Sequence, residues 1–523
     1  MSTTTPTTRA DRRTARRADP DALPFGKLLA WAGAGASAGA NVIILGYLTI
    51  YATDTLGMQP TTIGLLIALA TVLNAVMAFV GAIVVDRSPE TRWGKARPYE
   101  LAVPLTWLAT ALLFATPAGF GAAGRVVWLG VMLFVIRGIA DPLLRANDML
   151  YMARAFPGRM VYAKVQTRAG IVTALGAVTI SITLPMMLAR AGRSPEGWAL
   201  VIGVYAAILA LIGLSRGIFV KEVYRVEAGE DPITFSDMAA VLRGTKWIWA
   251  IVGMQFVSSA LVGANVGAYY YRYIVGNLAL QGVVAAIGLV LLPTLLIVPR
   301  LMRRFAVSRI IMVAALIGVV GGVINFFAGA SVPLLMVALI LTGFASLPVA
   351  YLFAVLILDV ATYNESRGLR RLESTLGAVV GVGQNLGTAV IAGIVGFLMS
   401  SSGYVGTSEV QSESALLMIR ILFGALPAVG YLLIAGFMFA FSTFERDLLP
   451  DAQAKVAEMR QSRGLTARGA EASSAQDTNA DGVIEADEFV VPPVAINAQG
   501  LAVPVENLGA GPVVESEPEA EQK

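Results

Sequence analysis

The chain contains no cysteine and no histidine. Without cysteine there is no disulfide framework. Without either residue there is no Cys/His zinc site and no catalytic dyad or triad built on them. Charge is scarce as well. Asp, Glu, Lys and Arg make up 14% of the 523 residues, against about 25% in ordinary soluble proteins. So few charges cannot cover a water-exposed surface, and the composition argues against a soluble enzyme. The net charge of +4 comes with no basic face on a folded soluble domain, so nucleic-acid binding is not expected. What the chain has in quantity is apolar residues, 56% of the total, with a mean hydropathy of +0.70.

These residues come in blocks of about 20, the length that crosses a hydrocarbon core of about 30 Å as helix. Twelve windows can be read: 28–52, 61–85, 99–117, 126–150, 165–189, 198–220, 247–275, 279–302, 309–330, 333–358, 375–400 and 415–442. The longest polar break, Lys221 to Lys246, divides six from six. An all-α polytopic membrane protein with two six-helix halves follows, the layout of the major facilitator architecture. The expected organisation is a basic tail (1–26), an N-terminal bundle (27–220), a central loop (221–246), a C-terminal bundle (247–445) and a mostly disordered tail (446–523).

The basic residues orient it. The N-terminal tail holds Arg9, Arg12, Arg13, Arg16 and Arg17, and the even-numbered loops hold groups such as Arg87, Arg92, Lys95 and Arg97, or Arg303, Arg304 and Arg309. The odd-numbered loops hold little beyond Arg125, Arg190 and Arg193. By the positive-inside rule both termini are expected in the cytoplasm, in a multi-pass protein of the cell membrane whose first helix is an uncleaved insertion signal. A monomer is expected.

Two loops carry motifs. After helix 2 the chain runs Asp86, Arg87, then Arg92, Trp93, Gly94, Lys95, Ala96, Arg97, Pro98, Tyr99. Gly94 permits a sharp turn there and Pro98 suits a first helical turn. Between helices 10 and 11 lie Asp359, Tyr363, Glu365, Gly368, Arg371, Glu373 and Ser374. Together these two segments resemble the signatures of the glycoside–pentoside–hexuronide cation symporter family. Weaker echoes are Thr53-Asp54-Thr55-Leu56-Gly57 and Gly403-Tyr404. The resemblance spans about residues 28–460. It implies a secondary transporter that moves a sugar or glycoside by alternating access, with the two loops as gating motifs.

Ionisable groups at membrane depth are functional candidates because each costs several kcal/mol. Helix 4 holds Arg137, Asp141, Arg145 and Asp148 at spacings that share one face, with Asn147 alongside. Arg168 opens helix 5 and is expected at the depth of Asp148, so that carboxylate and guanidinium could bracket a sugar hydroxyl. The bland alternative is a stripe that holds helices 4 and 5 together. The resemblance assigns substrate binding to Asp148 and Arg168. The surplus of arginine suggests an acidic sugar such as a hexuronide.

The chain departs from the family pattern at the cation site. Its two helix 2 aspartates fall here on Asn74 and Ala78, its helix 1 aspartate near Ala38, and its helix 11 lysine near Asn385. Asn74 and Asn385, with Gln384 and Thr388, are expected to form a neutral polar cluster. Sodium coupling is therefore in question. Proton coupling would use Asp141, Asp148, Asp359 or Glu373, and uncoupled diffusion stays open. Tyr269, Tyr270, Tyr271, Arg272 and Tyr273 read as an interfacial aromatic belt, or alternatively as a platform at the mouth of a sugar path.

The C-terminal tail contains an EF-hand-like loop, Asp477 to Glu488. Asp477, Asn479, Asp481, Val483, Glu485 and Glu488 stand at ligand positions and Gly482 at the turn, so calcium is a candidate ligand. No other cofactor and no enzymatic activity are expected. Rival readings are a lipid, lysolipid or drug transporter of the same fold, or a non-transporting membrane sensor.

Overall fold

The computed structural model describes residues 25–156, 158–223, 245–287, 298–302, 304–368, 373–462, 494–496 and 502–504. In the first half, α1 is Phe25–Thr55, α2 Pro60–Arg87, α3 Ala102–Leu113 after a 3₁₀ turn at Arg97–Leu101, and α4 runs from Ala122 to Ala155. Next come α5, Gly158–Ala191, and α6, Pro195–Phe219. In the second half, α7 is Ile248–Gly263 continued by Gly267–Tyr273, and α8 consists of Ala279–Ala285 and Val298–Met302. Then follow α9 (Val307–Phe327), α10 (Val332–Ser366), α11 (Glu373–Ser401) and α12 (Glu413–Asp447). A short α13, Leu449–Ser462, and a pair of three-residue strands, β1 (Val494–Ile496) and β2 (Ala502–Pro504), complete the described chain.

Among the described residues, ten helices are long and apolar enough to span a bilayer. The other two expected windows correspond to α3, shortened by its 3₁₀ start, and to α8, whose middle lies outside the described residues. Helix ends follow local chemistry. Ser194 and Ser412 accept the backbone N–H of Gly197 and Ala415 at 2.9 and 3.2 Å, capping α6 and α12.

The halves repeat one packing scheme. α1 packs on α5 and α6 as α7 packs on α11 and α12, and α3 packs on α6 as α9 packs on α12. They also repeat a capping device. Glu222, just past α6, accepts the N–H groups of Lys95, Ala96 and Arg97 at the start of the α3 turn (3.1, 2.8 and 2.9 Å). Glu445, near the end of α12, accepts those of Val307 and Ser308 at the start of α9 (2.7 and 2.9 Å). A carboxylate on a helix N-terminus satisfies donors that the helix leaves open and suits its dipole. This is the structural role of the Arg-Trp-Gly loop. Gly94 has φ +105°, and a Cβ there would lie 2.2 Å from the Glu222 carboxylate. Arg97 adds bonds to the carbonyls of Gly217 and Ile218, and Arg154 pairs with Glu222 and Glu90.

Between halves, α2 crosses α11 and α5 crosses α8. At Gly64 and Gly396 the first pair is in backbone contact: a Cβ on either would sit 2.5 Å from a carbonyl of the opposite helix. The apolar core is distributed unevenly. At the odd-loop end one buried cluster runs through both halves, joining residues such as Ile44, Trp198, Tyr270 and Met399. At the even-loop end it is divided. Trp31, Tyr151 and Val165 belong to a cluster of the first half, and Ile311, Leu356 and Phe441 to one of the second.

Removing the second-half cap by Glu445→Ala is expected to cost about 0.5–2 kcal/mol, seen as a lower melting temperature of the purified protein. Glu222→Ala should cost more, since it also leaves Arg154 with one partner fewer.

Candidate functional site

The face of α4 is built on a helix that changes its winding. Phe134–Ala140 is a π-helical segment, and Asp141 begins the α-helical part. Such segments recur at functional sites. Arg137 lies fifteen residues into α4, about 22 Å at 1.5 Å per residue, well inside the bilayer. Asp141 takes both neighbouring arginines, Arg137 at 3.3 Å and Arg145 at 2.9 Å. From α2, Asn74 donates to Asp141 Oδ2 (3.0 Å) and to the Arg137 carbonyl (2.7 Å). Asp141 is thus shared by two guanidiniums. The Arg145 side chain keeps 42% of its surface open.

Asn74 therefore does not join Asn385 in a neutral cluster, as the sequence suggested. Its amide is taken by α4, while Thr388 on α11 bonds the carbonyls of Gln384 and Ser259. Ala78 is exposed on α2 and Asn385 is partly exposed on α11.

Asp148 has a different partner from the one expected. It is buried and pairs with Arg216 of α6. Arg216 also holds Glu100, in the 3₁₀ turn before α3, through two bonds, of 2.8 and 3.0 Å. Asn147 donates to Glu100 (3.0 Å), and the Arg216 guanidinium lies over the Trp31 ring at 4.9 Å. Arg168 is exposed and forms no ion pair among the described residues. Asp148 and Arg168, expected at one depth to bracket a sugar hydroxyl, form no ion pair with each other among the described residues; α4 packs on α2 and α3, while α5 packs on α1 and α8. Glu100 and Arg216 were missed, although each was a charge inside an apolar window and so carried the signal that singled out helix 4.

A third cluster joins the halves at the odd-loop end. Asp54, buried in the last turn of α1, accepts from Tyr273 Oη (2.6 Å), Tyr404 Oη and Thr53 Oγ1 (2.9 Å), and Arg272 lies 3.3 Å away. Thr53 also bonds Tyr269 (3.0 Å). Arg193 reaches from the α5–α6 turn to the carbonyls of Thr407 (2.9 Å) and Ser408 (2.7 Å) and to Tyr273. The tyrosines are thus not an aromatic belt. Tyr269, Tyr270 and Tyr271 are buried: Tyr269 bonds Thr53 across the halves, while Tyr270 donates to the carbonyls of Asn325 and Gly329 and stacks on Phe423 within its own half.

Of the other motif residues, Arg92 stacks on Trp93, and Pro98 sits in the α3 turn. Asp359 and Glu365 lie partly buried on α10, and Gly368 turns the chain with φ +76°. Arg371, the side chains of Asp86 and Glu373, and the whole calcium-loop candidate (Asp477, Asn479, Asp481, Val483, Glu485, Glu488) lie outside the described residues.

This arrangement has clear relatives. A family model described as MFS/sugar transport protein matches residues 31–443. The isoprimeverose transporter of Lactiplantibacillus pentosus is 26% identical over 443 residues, covering 79% of this chain and 88% of the relative. A putative glycoside/cation symporter of Escherichia coli (strain K12) is 26% identical over 452 residues, covering 82% and 92%. Among solved structures, a D-xylose-proton symporter superposes with a TM-score of 0.56 at 17% identity, covering 80% of this chain and 97% of that one. With helices packed in two repeated halves, a charged face on α4 and a family match over most of its length, the chain belongs to the MFS/sugar transport family.

Proposed function

We propose that this protein is a secondary transporter that carries a sugar or glycoside across the cytoplasmic membrane by alternating access, with both termini in the cytoplasm. The observation that carries this reading is the uneven core, continuous through both halves at the odd-loop end and divided at the even-loop end. With the even loops cytoplasmic, as their basic residues indicate, this is an inward-facing state, closed outside by Asp54 and its partners. No enzymatic step belongs to this reading.

The substrate path runs along α4. Arg137, Asp141 and Arg145 offer one shared carboxylate and a partly open guanidinium, which suits a sugar hydroxyl beside an anionic group. Arg168, exposed near the start of α5, would meet the substrate nearer the cytoplasm. A carboxylated or otherwise anionic sugar is the favoured class. Coupling uses a proton rather than sodium. Asn74 and Ala78 bring no carboxylate to the positions that the resemblance assigns to the cation. Glu100 and Asp148, by contrast, place two carboxylates against the Arg216 guanidinium, and this reading assigns coupling to them. Calcium binding at 477–488 and a monomeric state remain part of the proposal.

In proteoliposomes, an anionic sugar should compete with the transported one better than its neutral analogue, and Arg145→Gln should weaken that preference about tenfold, the weight of one charged hydrogen bond. Equal competition by both sugars would reject the anionic class. A proton gradient, and not a sodium gradient, should drive accumulation. Asp148→Asn should abolish accumulation while exchange of labelled for unlabelled sugar persists; loss of both would make Asp148 structural.

Breaking the outer cluster should favour the outward-facing state, since losing one partner of a buried ion pair costs about 3–5 kcal/mol. The chain has no native cysteine, so Ala118→Cys and Ala330→Cys give a clean spin-label pair across the odd-loop end. Asp54→Asn is expected to increase the longer-distance population in that pair; an unchanged distribution would show that the cluster is not the closure.

A further inference from the structure

In the second half, a cavity of about 360 Å³ lies among the end of α8, the start of α9 and the middle of α10. That volume falls within the roughly 300–1,000 Å³ of small-molecule pockets. Its walls are apolar except for one charged side chain, Arg309. Pro348 has no N–H to give the carbonyl of Phe344 one turn earlier, and both residues line the space. Phe305 and Val313 are about half exposed, so the cavity opens on the outer flank of α9.

Depth and charge are matched in this cavity. Arg309 stands at the even-loop start of α9, and Ile317 lies eight residues further along, about 12 Å deeper. The cavity therefore runs from the bilayer surface into hydrocarbon. At its mouth the Arg309 guanidinium rests 5.8 Å from the Phe305 ring centroid and has no carboxylate partner among the described residues. Arg304 is exposed beside it. An apolar slot with an unpaired cation at headgroup level fits one kind of molecule already present in every membrane.

We infer that this cavity binds an anionic glycerophospholipid of the leaflet at the even-loop end, with an acyl chain in the slot and its phosphate on Arg309. The site is separate from the α4 path, so the inference rests on the membrane fold and not on the substrate reading. Neither α4 nor the outer cluster contributes to it.

The test uses the purified full chain and native mass spectrometry, with phosphatidylglycerol and phosphatidylcholine of identical acyl chains as probes. Phosphatidylglycerol should be retained in preference. Arg309→Gln should lower its retention about fivefold, the weight of one basic residue at an anionic surface, while Arg309→Lys keeps most of it. Ala314→Trp, which fills the slot, should lower retention of both lipids. Equal retention of the two lipids by the native chain would overturn the proposal. So would unchanged phosphatidylglycerol retention in Arg309→Gln or in Ala314→Trp. A monodisperse elution profile and preserved melting temperature of each variant exclude misfolding as the cause of a loss.

Discussion

A carboxylate withdrawn from water must find its hydrogen bonds in the protein, and Asp54 finds most of its own in the opposite half. Tyr273, Tyr404 and Arg272 reach it from the C-terminal bundle, and only neighbouring Thr53 is its own. The charge is therefore satisfied only while the halves meet at that end. Separation would leave it bare unless water entered at once, so opening and hydration are one event. The symmetry of the fold sharpens this. Asp54 follows Tyr51 by three residues at the end of the first helix of one half. Arg272 follows Tyr269 by three at the end of the first helix of the other. The two halves thus bring opposite charges to matching places, and closure pairs them.

The charges on α4 obey the same constraint within one half. Asp141 divides itself between Arg137 and Arg145, and Arg216 divides itself between Glu100 and Asp148. The two arrangements mirror each other: in one a carboxylate is shared by two guanidiniums, in the other a guanidinium is shared by two carboxylates, and Asp141 and Asp148 lie about two turns apart on the same helix.

Much of this was legible in the sequence. The apolar windows and the break at Lys221–Lys246 gave twelve helices in two halves, and the charged face of α4 was visible from its spacing. What spacing could not give was neighbourhood. It placed Asp148 and Arg168 at one depth on consecutive helices, but it could not show which other helices pack against Asp148. Packing put α6 and the turn before α3 there, and with them Arg216 and Glu100. The tyrosines of α7 failed for a related reason. At a helix end near the bilayer surface, a belt exposed to lipid and a seal against another half look alike until the partner surface, here Thr53 and Asp54, is known.

The duplicated glutamate caps have a consequence for how the protein is made. Glu222 closes the start of α3 from the end of the same half, and Glu445 does so for α9. Each cap arrives last in its own bundle and needs nothing from the other. Synthesis at about 5–20 residues per second leaves the N-terminal bundle complete for many seconds before Glu445 leaves the ribosome. During that interval its helix termini are already sealed, and what it still exposes toward the missing half is chiefly the α2 and α5 faces. Biogenesis then becomes the docking of a finished bundle with one assembled later, and translocon and membrane need shelter two helix faces and the Asp54 end of α1 while they wait.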